Sequence, residues 1–250
     1  MPAPNHHPGD DTATFALSYL ALRRFLGLLG LALPVILILG RAGIDLTPYQ
    51  TSISAHYYAP NLGDVFVACL AAIGVFLLYY KGFPNTDDAY RHPFLLTPLG
   101  RWLDRHLTDA RVTTAAGFGA LGTALVPTCL GPSVIPLRAA ACSEGLHLSF
   151  AAVFFLSLTY MSLFQFTRSR HARKDWTAEK RFSNLAHVAC GSVMAGCLLL
   201  IGVDFLVGGL RFLPNPVFVL ETLAVWAFAI SWLVKGDSLQ AVQRVFGIEA

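Results

Sequence analysis

Six stretches of apolar residues, each close to the length needed to cross the hydrocarbon core of a bilayer, dominate this chain. They fall at about 24–40, 63–80, 112–128, 147–166, 185–207 and 216–234. A helix satisfies its own backbone hydrogen bonds and rises about 1.5 Å per residue, so it can traverse about 30 Å of lipid where an irregular chain cannot. Charged residues make up 13% of the sequence, against roughly 25% in soluble domains. The sequence therefore predicts an all-α, polytopic membrane protein with six transmembrane helices.

Residues 1–14 read as a polar tail, 15–236 as the transmembrane domain and 237–250 as a second tail. The first tail is too long and mixed for the basic region of a signal peptide. No small-x-small site follows the first apolar run, so that run is expected to remain as a spanning helix. Lysine and arginine gather at 23–24, 81–111, 168–181 and 235, whereas the alternate connections hold little beyond Arg41, Arg138 and Arg211. Positive charge collects on the cytoplasmic side, which puts both termini there. In PLGRWLDRHLTD (98–109), Leu99, Trp102, Leu103 and Leu107 recur at helical spacing, the pattern of a short amphipathic helix lying on the membrane surface. In the third run, Ala115, Gly119 and Thr123, like Ala116, Ala120 and Ala124, stand four residues apart. Small residues at that spacing let helix backbones approach closely, so this helix is expected to be central.

Given that topology, several ionisable groups share one depth near the outer face. His56 and Asp64 head the second crossing, and Glu144 and His147 head the fourth. Asp204 lies near the end of the fifth, Arg211 follows it, and Glu221 lies just inside the sixth. Asp64 has a simple role available, since a first-turn carboxylate stabilises free helix N–H groups. Glu221 lies beyond the first turn, and Asp204 sits at the helix end that disfavours negative charge. Each needs a partner, because an acid inside a spanning helix is costly. Arg211 is the structural candidate. His56, Asp64, His147, Asp204, Arg211 and Glu221 form the expected ligand-binding set. Cys129 and Cys142 both fall on the outer side, where a disulfide between them can persist. The other cysteines read as small packing residues.

The segments SISAHYY, DVFVACLAAIGVFLLYYKG, ALVPT (124–128), HLSFAAVFFLSLTYMSLF and LETLAVWAFAISWLVKG resemble a group of uncharacterised bacterial six-helix inner-membrane proteins. The likeness covers most of residues 50–236 and implies the bacterial inner membrane as the location. PYQTSISA and a phenylalanine-rich helix more distantly resemble the damage-regulated autophagy modulator and GPI-anchor remodelling types of membrane protein. The S-x-x-x-H pairs are similar to those of seven-helix hydrolases such as alkaline ceramidases and adiponectin receptors. This chain departs from those hydrolases in helix count and lacks their terminal H-x-x-x-H.

The expected function is an outward-facing polar pocket that binds a lipid headgroup or small polar ligand. Membrane lipids are the expected partners, and nucleic acid is not. No cofactor is expected. One alternative is a metal-dependent, membrane-embedded lipid hydrolase, with a divalent metal on His56, His147 and a carboxylate. A proton-coupled transporter using Asp204 and Glu221, or a structural subunit, are further alternatives.

Overall fold

The computed structural model describes residues 8–43, 51–80, 82, 89–129, 143–208 and 214–235, with side chains in the first helix described from 21 to 40. Among these residues the regular secondary structure is helical, apart from one isolated antiparallel bridge between Tyr90 and Ser169. The helices are α1 (Pro8–Gly43), α2 (Leu62–Tyr79), α3 (Pro98–His106), α4 (Asp109–Leu125), α5 (Glu144–Tyr160), α6 (Ala178–Val207) and α7 (Pro216–Lys235). Five segments are long and apolar enough to cross a membrane: Ala21–Gly40, Leu62–Tyr79, Glu144–Gln165, Ala178–Val207 and Pro216–Lys235.

The expected third crossing is the exception. Its helix, α4, has 17 residues and begins at Asp109, earlier than the 112–128 run. It ends at Leu125, two residues before Pro127, because the residue preceding a proline is driven out of helical backbone angles. The chain is already extended at Val126, with φ −104° and ψ 100°. The surface helix also stops short of its expected end, at His106 rather than 109. Thr97 caps it by accepting from the Gly100 N–H at 3.1 Å, and Leu99 and Trp102 stay exposed, as an apolar face turned to a bilayer surface would be.

Side-by-side packing arranges six helices as a ring in the order α1–α2–α4–α5–α6–α7, with α7 returning to α1. Close backbone approach explains the tightest joints. Gly74 of α2 and Gly117 of α4 face each other, and a Cβ on Gly117 would lie 2.8 Å from the Gly74 carbonyl. Ala116, Ala120 and Ala124 are fully buried, so the small-residue stripe packs α4 closely against α2 and α5, as one member of the ring rather than as the central helix expected. Phe154, Phe228 and Trp232 fill the middle, with rings 6.0–6.2 Å apart.

One end of the ring is basic. Arg23 donates to the Tyr80 hydroxyl at 2.9 Å and to the Lys235 carbonyl at 3.3 Å, tying α1, α2 and the end of α7 together. The joint between α5 and α6 differs from the rest. A π-helical turn, Met161–Gln165, packs Leu163 against Gly191 at the basic end. Toward the opposite end the two helices part.

Candidate functional site

At the end opposite Arg23, residues 52–58 fold inward. They make a 3-10 turn, Ser54–Tyr58, with Ser52, Ser54, His56 and Tyr57 all buried. Buried backbone N–H groups need acceptors, and three of those here find them in named groups. Ser52 Oγ accepts from the Ala55 N–H at 3.0 Å, the Ile53 carbonyl from the His56 N–H at 3.2 Å, and Glu221 Oε2 from the Ile53 N–H at 2.6 Å. The Thr51 carbonyl in turn accepts from the Phe218 N–H at 3.1 Å. The turn is thereby fixed to the start of α7. It lies so close over α2 that a Cβ on Gly63 would run into the Tyr57 carbonyl. The Tyr58 hydroxyl donates to the Thr128 carbonyl, and burial, with Tyr57 adding to it, pushes the Tyr58 phenol above its usual pKa.

Hydrogen bonding assigns the histidine tautomers. His147 Nδ1 lies 2.6 Å from the Val126 carbonyl. A carbonyl only accepts, so Nδ1 carries the proton, and in the neutral ring Nε2 keeps its lone pair. His56 Nδ1 likewise lies 3.1 and 3.2 Å from the Ser52 and Ile53 carbonyls. Its ring packs on Phe218, with centroids 5.7 Å apart.

Two spaces meet at Glu221. The first is a cavity of about 40 Å³ inside the ring, lined by Ser54, Thr123, His147 and Glu221 among apolar side chains such as Leu33 and Phe66. That is room for a water molecule or a small polar group. The second is a cleft of about 570 Å³ where α5 and α6 part, walled by Leu148, Phe155, Leu199 and Phe205. Ala151, Phe155 and Glu221 line both spaces. An apolar slot open between two spanning helices thus ends on a carboxylate, with an imidazole beyond it.

The expected residue set divides. His147 and Glu221 share the cavity. His56 helps to build its roof but does not line it. Asp64 is exposed in the first turn of α2, consistent with its dipole role, and Asp204 is half-buried near the end of α6. Neither lines the cavity or the cleft. Arg211 and Cys142 lie outside the described residues. Cys129 is disulfide-bonded, while Cys69, Cys190 and Cys197 are free. Among the described residues, no group of three or more His, Cys, Asp or Glu side chains is placed to hold a metal ion.

A second buried polar group lies away from the cavity and has no counterpart in the sequence reading. His187 is fully buried on α6. Ser162 Oγ donates to the His187 carbonyl at 2.8 Å and lies 2.7 Å from Ser231 Oγ, which lies 2.9 Å from His187 Nδ1. A hydroxyl has one proton. With that of Ser162 given to the carbonyl, Ser231 donates to Ser162 and accepts from His187 Nδ1–H. Nε2 then faces the Ser183 hydroxyl at 3.3 Å. This closed chain joins the π turn, α6 and α7, and it needs no ligand to be complete. Compared with protein-family models, with curated proteins and with solved structures, the chain matches none.

Proposed function

We propose that this protein is a multi-pass protein of the bacterial inner membrane that takes up an amphiphile sideways from the bilayer. The amphiphile's apolar chain lies in the α5–α6 cleft and its polar head reaches Glu221 and His147. The observation carrying this reading is that Glu221 lines both the cleft and the inner cavity. Hydrocarbon gains little by leaving lipid for an equally apolar slot, so selection rests on the head. Glu221 accepts hydrogen bonds when ionised, and His147 Nε2 accepts as well. The favoured head therefore carries hydroxyl or amine hydrogens. In the six-crossing topology with both termini inside, α4 is the remaining crossing and the cleft opens within the outer leaflet.

The hydrolase alternative has less support. Catalytic zinc sites use three protein ligands and an open position, whereas His147 and Glu221 contribute two donors to the cavity. Lipid analysis of the purified protein tests the proposal. Wild type is expected to retain a specific lipid through detergent exchange. Ala152→Trp, which fills the cleft, should lose it, and Glu221→Gln should change the head class retained while the fold persists. Identical lipid profiles for all three proteins would end this reading.

A further inference from the structure

The basic end of the ring carries a pocket that the function above does not use. The two connections on that side are joined. Tyr90 and Ser169 exchange backbone hydrogen bonds at 3.0 and 3.3 Å, and Asp104 of α3 pairs with both Arg91, at 2.7 Å, and Arg168. Between them and the start of α6 opens a pocket of about 810 Å³. Tyr90 and Trp176 form one wall, edge to face at 4.6 Å. Arg173, Lys174 and Arg181 also line it and are exposed. The segment 168–181 holds six cations against the acids Asp175 and Glu179, and Asp104 is already engaged by its two arginines. His92 lines the pocket too, and burial lowers its pKa, so it adds no charge at neutral pH.

Positive charge on this side accounts for membrane orientation alone, but one atom asks for more. Asn184 is 6% exposed and lines the pocket. Its Nδ2 donates to the Thr167 carbonyl at 3.3 Å, while its Oδ1 is buried with no hydrogen-bond partner. Turning the amide over would set Oδ1 against the Thr167 carbonyl, acceptor to acceptor, so the amide holds this orientation and the orphan is the acceptor Oδ1. A buried unsatisfied acceptor is costly, and what relieves it must bring a hydrogen. Leu185 and Val188 continue the lining along α6 toward its apolar middle.

We propose that this pocket is a second ligand site, for a phosphate ester whose head also carries a hydroxyl or amine hydrogen. The phosphate is held by Arg173, Lys174 and Arg181, and the hydrogen is given to Asn184 Oδ1. The apolar lining suits the glycerophospholipid form of such an ester, delivered from the leaflet on the basic side.

Binding to the full-length protein in detergent, followed by native mass spectrometry, separates the parts. Phosphatidylglycerol carries the charge and the hydroxyls, phosphatidylmethanol the same charge without a head hydrogen, and phosphatidylcholine no net charge. Wild type should bind phosphatidylglycerol most tightly, then phosphatidylmethanol, then phosphatidylcholine. Replacing Arg173, Lys174 and Arg181 together by Gln, all exposed and outside the core, should weaken both anionic lipids about tenfold or more. Asn184→Leu should abolish only the preference between the two anionic lipids. Competition with glycerol phosphate distinguishes the source: displacement at matched concentration assigns a soluble ester, and retention of the lipid assigns the membrane form. Equal binding of the three lipids by wild type, or a triple variant that binds like wild type, overturns the site.

Discussion

At the scale of single residues, Glu221 does two jobs that substitution can separate. One oxygen caps the Ile53 N–H, and the side chain also presents its carboxyl group to the cleft and cavity. Glu221→Gln keeps an acceptor for Ile53 and should melt within about 0.5 kcal/mol of wild type. Glu221→Ala strands the N–H and should cost about 1–3 kcal/mol; thermal melting in detergent measures both. Ser231→Ala should cost a similar amount, because it orphans His187 Nδ1–H and the Ser162 oxygen loses its donor. In contrast, Asp64→Asn should shift melting by less than about 1 kcal/mol, as expected for an exposed first-turn carboxylate. Glu221 was legible in the sequence because an acid past the first turn of a spanning helix cannot be a cap. The pairing of His187 with Ser162 and Ser231 was not. It joins positions 25 and 44 residues from His187, and no periodicity records that.

Among the elements, the helices themselves were readable from apolar run length, and the close packing of α4, though not its place in the ring, from its small residues. Their ends were less so. Pro127 truncates α4, and the serine, histidine and tyrosine of the segment before α2 do not mark it as buried. That segment is buried because N–H groups of Ile53 and Ala55 find partners in Glu221 and Ser52. The close joint between α2 and α4 depends on Gly74 and Gly117. Gly117→Val should force these helices apart and lower stability by about 1–3 kcal/mol, read as a fall in melting temperature. Ala152→Trp faces the open cleft and should leave melting nearly unchanged. The cleft itself had no signature in the sequence: α5 is apolar around its whole circumference, so nothing marks the side on which its neighbour draws away.

For the whole molecule, the basic and carboxylate-bearing ends fix what topology experiments should find. A reporter fused at residue 175 is expected inside and one at residue 138 outside. Exterior signal at 175 would invert the proposed orientation and move the cleft to the inner leaflet. Cys129 should resist thiol reagents until the protein is reduced, whereas a Cys129 that labels in unreduced protein would remove the proposed bridge to Cys142.

The joint between α5 and α6 makes contact through Leu163 and Gly191 and then opens along its length. A pair of rods pinned at one tip behaves as a lever, and small rotations at the pin become large excursions at the mouth. Bulk added at the fulcrum, as in Gly191→Leu, should therefore alter how fast guests exchange at the far end without touching them. A guest taken up as proposed would enter and leave through the plane of the lipid, so its traffic would follow two-dimensional diffusion and the make-up of the surrounding leaflet.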